Sequence, residues 1–189
     1  MRYRTIAAAL AMTLLAAGWS SAKDSPAEKR EKVRKMAAQT LADLYKLHPA
    51  AQGAVASSAG YAVFSNLGVN VLLLSTAHGG GLAVNSQNKQ ETFMKMISVG
   101  AGIGAGVKDF RVIFVFETVK ALAGFMKSGW DAAGQADAAA KAGKEGGAYS
   151  GATSVAPGVW VYQITKNGLA LQATLQGTKY SKDDDLNKP

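Results

Sequence analysis

From residue 33 to residue 47 one set of positions recurs every three or four residues: Val33, Met36, Ala37, Thr40, Leu41, Leu44 and Leu47. That spacing places them on one stripe of an amphipathic helix. Ser25-Pro26-Ala27-Glu28 supplies its start. Ser25 can cap, Pro26 sits where its missing N–H costs nothing, and Glu28 completes a capping box. Pro49 ends the helix. From Gly60 the period falls to two, and Tyr61–Phe64, Val69–Ser75, Leu82–Val84 and Glu91–Val99 read as short strands. Gly79-Gly80-Gly81 reads as a turn between two of them, and Asn88-Lys89 lies in another hairpin connection.

Phe110–Phe116 is the strongest strand pattern, apolar on nearly every position and therefore expected to be central and buried on both faces. Helical spacing returns over Glu117–Lys127 through Val119, Leu122, Ala123 and Met126, with Gly129 as its stop. Trp130–Ala142 is Ala-rich, and propensity alone reads it as helix. Val159–Thr165 and Leu169–Thr178 read as two closing strands around an Asn-Gly hairpin turn at Lys166-Asn167-Gly168. From Ser181 the tail is polar and expected to be loose.

The first 22 residues have the layout of a secretory leader. Arg2 and Arg4 precede the apolar run Ile6–Ala17, and Ser20-Ser21-Ala22 offers small residues for cleavage. The run is shorter than the roughly 20 residues that span a bilayer. Trp19 stands where a lipid-bearing Cys would be, so no acyl anchor is expected. This divides the chain into a signal peptide (1–22), an N-terminal amphipathic helix and linker (23–59) and a main domain (60–187). The expected location is periplasmic or secreted, peripheral to a membrane.

The whole chain of 189 residues carries 21 Lys and Arg against 13 Asp and Glu, a net charge of +8. Without Arg2 and Arg4 the balance is +6. In an exported chain that excess points to anionic lipid or other envelope polyanions rather than to nucleic acid. Lys29, Arg30, Lys32, Arg34 and Lys35 crowd the first two turns of the N-terminal helix, where cations oppose the helix dipole. Pairs Glu28–Lys32 and Glu31–Lys35 offset only part of this cost. These five are the candidate lipid-binding residues. The bland alternative is a helix laid on the sheet with its charges in water.

Catalytic chemistry finds no footing. Cysteine is absent, which removes thiolate catalysis and Cys-ligated metals. Gly100–Gly106 alternates as G-x-G-x-G-x-G, neither the dinucleotide nor the phosphate-loop spacing. In a strand such alternation leaves one face bare for close approach by backbone or helix. His78-Gly79-Gly80-Gly81 resembles an esterase oxyanion loop. Its required G-x-S-x-G elbow is missing, since Gly147-Ala148-Tyr149-Ser150-Gly151 holds its Ser out of place. His48 and His78 cannot close a zinc site alone, and Asp183-Asp184-Asp185 lacks the frame of an EF-hand. No catalytic residue, metal or cofactor is expected.

Laid out in order, these segments resemble the SYLF domain family in its bacterial, exported branch, over Gly60 to about Asn187. The likeness rests on Gly60-Tyr61-Ala62-Val63-Phe64, on Gly100–Gly106 leading into Phe110–Phe116, on the helix after it, on Gly168-Leu169 through Leu175-Gln176-Gly177, and on Lys179-Tyr180 with Lys182–Asn187. It departs at Gln176, where the family often has Glu, and over Val69–His78, which lacks the basic turn of many eukaryotic members. The resemblance implies an α+β fold: an antiparallel β-rich core, as a curved sheet or partial barrel, with the amphipathic N-terminal helix and one or two further helices packed on it. It also implies that Trp130–Ala142 lies in a strand region. Eukaryotic members bind phosphoinositide membranes, and some contact actin. The expected function is therefore non-catalytic binding of an anionic phospholipid membrane surface, with an unknown protein partner in the envelope as the alternative.

Overall fold

The computed structural model describes residues 24–65, 76–99, 111–131, 149–164 and 178–188. Within them lie helices α1 (Pro26–Leu47), α2 (Ala50–Ser57) and α3 (Val119–Ser128). The strands are β1 (Gly60–Ser65), β2 (Thr76–Asn85), β3 (Glu91–Val99), β4 (Arg111–Phe116), β5 (Trp130–Asp131), β6 (Thr153–Ala156), β7 (Val159–Ile164) and β8 (Thr178–Lys182). They form one antiparallel sheet in the order β5-β8-β3-β2-β1-β4-β7-β6. The class is α+β, with the sheet curled into a half-barrel.

Side-chain alternation gives the sheet two buried faces. On one, Ala62, Phe64, Ala83, Met94, Met96, Val112, Phe114 and Tyr180 pack under Leu122 and Phe125 of α3. On the other, Val63, Leu82, Val84, Phe93, Ile113 and Val115 pack under Ala37 and Leu44 of α1 and Ala51 and Val55 of α2. β4 lies inside the sheet and is buried on both faces, from Val112 to Phe116, as its unbroken apolar run predicts.

The curl has a steric cause. β4 and β8 are four steps apart in the sheet, about 19 Å if it were flat at ~4.8 Å per step. Yet the rings of Phe114 and Tyr180 are 4.9 Å apart, and those of Phe64 and Tyr180 are 4.7 Å apart, edge to face. The sheet must roll to bring them together, and β2 is where its inner face is bare. Phe64 lies over Gly81, its cross-strand partner, and any Cβ on Gly81 would fall inside the Phe64 ring. A Cβ on Gly79 would strike the Ser65 carbonyl and Met96. Gly79-Gly80-Gly81 is thus not a turn but the middle of β2. Its glycines serve close approach: Gly79 and Gly81 inward, and Gly80 outward, where a Cβ would touch Val33 of α1 at 3.4 Å.

Several boundaries follow the expected local chemistry. Ser25 and Glu28 form the capping box at the start of α1, and Gly129, at φ 70°, ends α3. Asn85 Oδ1 accepts from the amides of Gln87 and Asn88 and shapes the β2–β3 turn. α2 has no signal in the periodicity, being a short Ala-rich helix begun at Pro49. It takes over the sheet face beyond Leu44, so Leu47 overshoots the stripe and is 48% exposed rather than buried.

The tail also departs from the expectation. Instead of running loose from Ser181, the chain finishes β8 and turns back on β3. Asn187 accepts from the Phe93 amide at 3.0 Å and donates to the Phe93 carbonyl at 2.7 Å, as a neighbouring strand residue would. Asp183 Oδ1 accepts from the amides of Asp185 and Leu186, and Leu186 is buried against the α1 side of the sheet. Of Trp130–Ala142 only Trp130–Asp131 is described, and it is strand. The expectations for residues 1–22, Val69–Ser75, Gly100–Gly106 and Lys166–Gly168 fall outside the described residues.

Candidate functional site

The five cations singled out on α1 come to different ends. Arg30 turns toward the tail and donates from Nε to the Leu186 carbonyl at 2.8 Å and from a terminal nitrogen to the Lys188 carbonyl at 2.5 Å. Arg34 pairs with Glu91 of β3 at 2.8 Å and lies over the Phe93 ring, 5.2 Å from its centroid. Lys32 pairs with Asp24 at 2.7 Å, and Lys35 reaches Glu31 at 3.9 Å. Lys29 makes no ion pair among the described residues and is exposed. Glu28 does not pair with Lys32, because the Ser25 cap holds its carboxylate: the Ser25 amide donates to it at 2.7 Å. Those cap hydrogen bonds lower its pKa.

Of the acids that answer this cluster, Glu31 is the expected i,i+4 partner of Lys35, whereas Asp24 and Glu91 come from outside that pattern, Glu91 from β3. The two arginines are structural ties, clamping α1 to β3 and to the tail. The lysine pairs are solvent-exposed, and such pairs contribute about 0–1 kcal/mol. They can be exchanged for other anions at little cost. Farther along α1, Asp43 accepts from Arg111 of β4 across a 2.6 Å contact that is mostly shielded from water. The Arg111 hydrogen bond, helped by one from Gln39, holds the Asp43 carboxyl below its usual range against the opposing effect of desolvation.

A second basic surface lies on the opposite side of the sheet. A groove of about 440 Å³ runs between α3 and the end of the β2–β3 hairpin. One wall is Val119, Leu122, Ala123, Met126 and Lys127 of α3; the other is Asn85, Gln90, Thr92 and Lys182 of β8. No carboxylate lines it among the described residues. Pattern reading singled out neither lysine. The absence of acids from VKALAGFMKS hints at Lys127, but Lys182 joins it only through the β3–β8 pairing.

His48 packs beside Gly151, with its ring 6.4 Å from that of buried Tyr162. Burial raises the Tyr162 hydroxyl to about 12. No three of His, Asp and Glu gather to hold a metal among the described residues, and none of the described helices is long and apolar enough to cross a membrane.

Comparison with known proteins places this geometry. Residues 97–189 match the model of the Ysc84 family, described as Las17-binding protein actin regulator. Beta cell expansion factor A of Aeromonas veronii is 33% identical over 165 residues, which cover 85% of this chain. The chain spans 60% of the length of that curated relative.

Proposed function

Over residues 97–189 this chain belongs to the Ysc84 (SYLF) family, and from that premise we propose that it is a non-catalytic protein that binds anionic phospholipid at a membrane surface. The observation that carries the reading is the supply of unanswered cations. Lys29, Lys89, Lys95, Lys120, Lys127 and Lys182 form no ion pair among the described residues, whereas both α1 arginines and the Asp43–Arg111 pair are committed to the fold. Each lysine near an anionic bilayer contributes about 1 kcal/mol, and the contribution fades within a Debye length of about 8 Å at physiological ionic strength. In the α1 cluster the exposed ammonium groups are Lys29, Lys32 and Lys35, the last two held only in weak, solvent-exposed pairs.

Export through the leader at 1–22 belongs to the same proposal and sets the membrane it would meet. Intact-mass measurement of the exported protein should give a chain beginning at Lys23 without acyl mass; a retained leader would refute this part. The lipid reading is tested by flotation of the protein with phosphatidylcholine vesicles, with and without phosphatidylglycerol. Binding should require the anionic lipid and weaken as salt rises. Equal recovery with both vesicle types would sink it.

A further inference from the structure

We infer that the groove between α3 and the β2–β3 hairpin is the seat for the phosphate of an anionic phospholipid headgroup, and that α3 is the face turned to the bilayer. The inference rests on the lipid-binding reading above and adds where and how the lipid is held.

Its first support is the polar lining. Lys127 and Lys182 face one groove from different elements, with no ion pair to either among the described residues and no carboxylate in the wall. Two ammonium groups brought together without a counter-ion repel each other, and an anion between them relieves that repulsion. Asn85 adds a directed donor. Its Oδ1 is occupied by the amides of Gln87 and Asn88, which turns its NH₂ group away from the turn and leaves it without a partner among the described residues. Thr92, on the same wall, adds a hydroxyl-bearing side chain to the lining. Ammonium and neutral donors converging on one space suit a phosphate oxygen.

The second support is the apolar step beside it. Val119 is 46% exposed, one of two large hydrophobic residues so exposed among the described residues. With Ala123 and Met126 it lies on the groove side of α3. Lys120 and Lys127 are the helix's only charged residues, and it carries no acid. A soluble phosphate has no use for this strip, whereas a lipid places acyl carbon next to its headgroup. The basic cluster of α1 lacks this combination: the apolar residue exposed on that helix, Leu47, lies at its far end, about three turns from Lys35, and Lys32 and Lys35 already have acidic partners.

The test sets equal charge removals against each other. Wild type, Lys127→Gln/Lys182→Gln and Lys32→Gln/Lys35→Gln are titrated with phosphatidylcholine vesicles containing phosphatidylglycerol at physiological salt. Both double variants lower the net charge by two, and all four side chains are exposed, so unfolding temperatures should match. The groove variant should bind about thirty-fold more weakly and the α1 variant less than about threefold. Val119→Ser should also weaken vesicle binding. Separately, inorganic phosphate is titrated while the Asn85 and Thr92 resonances are followed by NMR.

If wild type floats and both double variants weaken alike, the groove is overturned while the lipid reading stands. If wild type fails to float, both are overturned. If the groove variant loses the inorganic phosphate response yet binds vesicles as wild type does, the groove is a site for the free ion and the proposal is wrong.

Discussion

α1 and α3 cover opposite faces of the same sheet, and both are amphipathic with lysines toward water. They differ in what answers those charges. On α1 the arginines reach Glu91, Phe93 and the tail carbonyls, and three of its four lysines have nearby acids. On α3 Lys127 faces, together with Lys182 of β8, a groove with no carboxylate among its described lining residues. Charge count alone favoured α1 as the functional surface, since five cations crowd two turns there. A dense basic cluster can also be an assembly device, as Arg30 and Arg34 show, while the anion site proposed above draws its two lysines from separate elements.

The largest perturbation should erase the comparison altogether. Gly81→Val puts a branched side chain into the space of the Phe64 ring, and overpacking of this kind costs about 3 kcal/mol. The melting temperature should fall by about 6–12 °C, with both faces lost in one transition by circular dichroism. An unchanged melt would mean that the inner face has room and that the curl has another cause.

Removing the tie between α1 and the tail should act on one side only. Arg30→Met deletes two hydrogen bonds from a charged donor and should destabilise by about 2 kcal/mol in urea unfolding. Hydrogen exchange should quicken at Phe93 and along residues 183–188 while α3 keeps its protection. Faster exchange in α3 would show that the two faces are coupled.

Asp43→Asn sharpens the contrast through pH. The folded carboxyl is held below its ordinary value by Arg111, so its contribution is present above the unfolded pKa and lost as pH falls through the folded one. Wild type should exceed the variant by about 1–1.5 kcal/mol at pH 7, and the gap should close below about pH 4. A gap independent of pH would assign the effect to shape rather than charge.

The smallest effect is expected at the groove. Lys127→Gln/Lys182→Gln should shift stability by no more than about 0.5 kcal/mol in the same urea assay, since neither lysine has an ion-pair partner to lose. A gain in stability would reveal the repulsion between them directly. A large loss would mean that they hold the fold as the α1 arginines do.

Local chemistry was legible and long-range company was not. The Ser25–Glu28 box, the unbroken β4 and the Gly129 stop each depend on a few adjacent residues. The glycine triplet in β2 was misread as a turn, although alternating glycine had been understood at Gly100–Gly106. The reason is that a bare face has meaning only once a ring such as Phe64 is placed opposite it. The tail from Ser181 read as polar and loose, yet Asp183 builds the turn that docks Leu186. The groove was hidden for the same reason: residues 85, 92, 127 and 182 meet only after the strands have paired.

The clasp of Arg30 on Leu186 also sets an order of events. These partners are separated by 156 positions, so a chain synthesised from its N-terminus displays α1 long before its final contact exists. Contacts this distant in sequence close late, because the intervening chain must be ordered first. Until β8 and the turn at Asp183 arrive, Arg30 lacks its carbonyl acceptors and Phe93 lacks the side chain of Asn187. The first turns of α1 are therefore the last to be fastened, and a nascent chain stalled before residue 183 should carry them loose, open to chaperones or proteases.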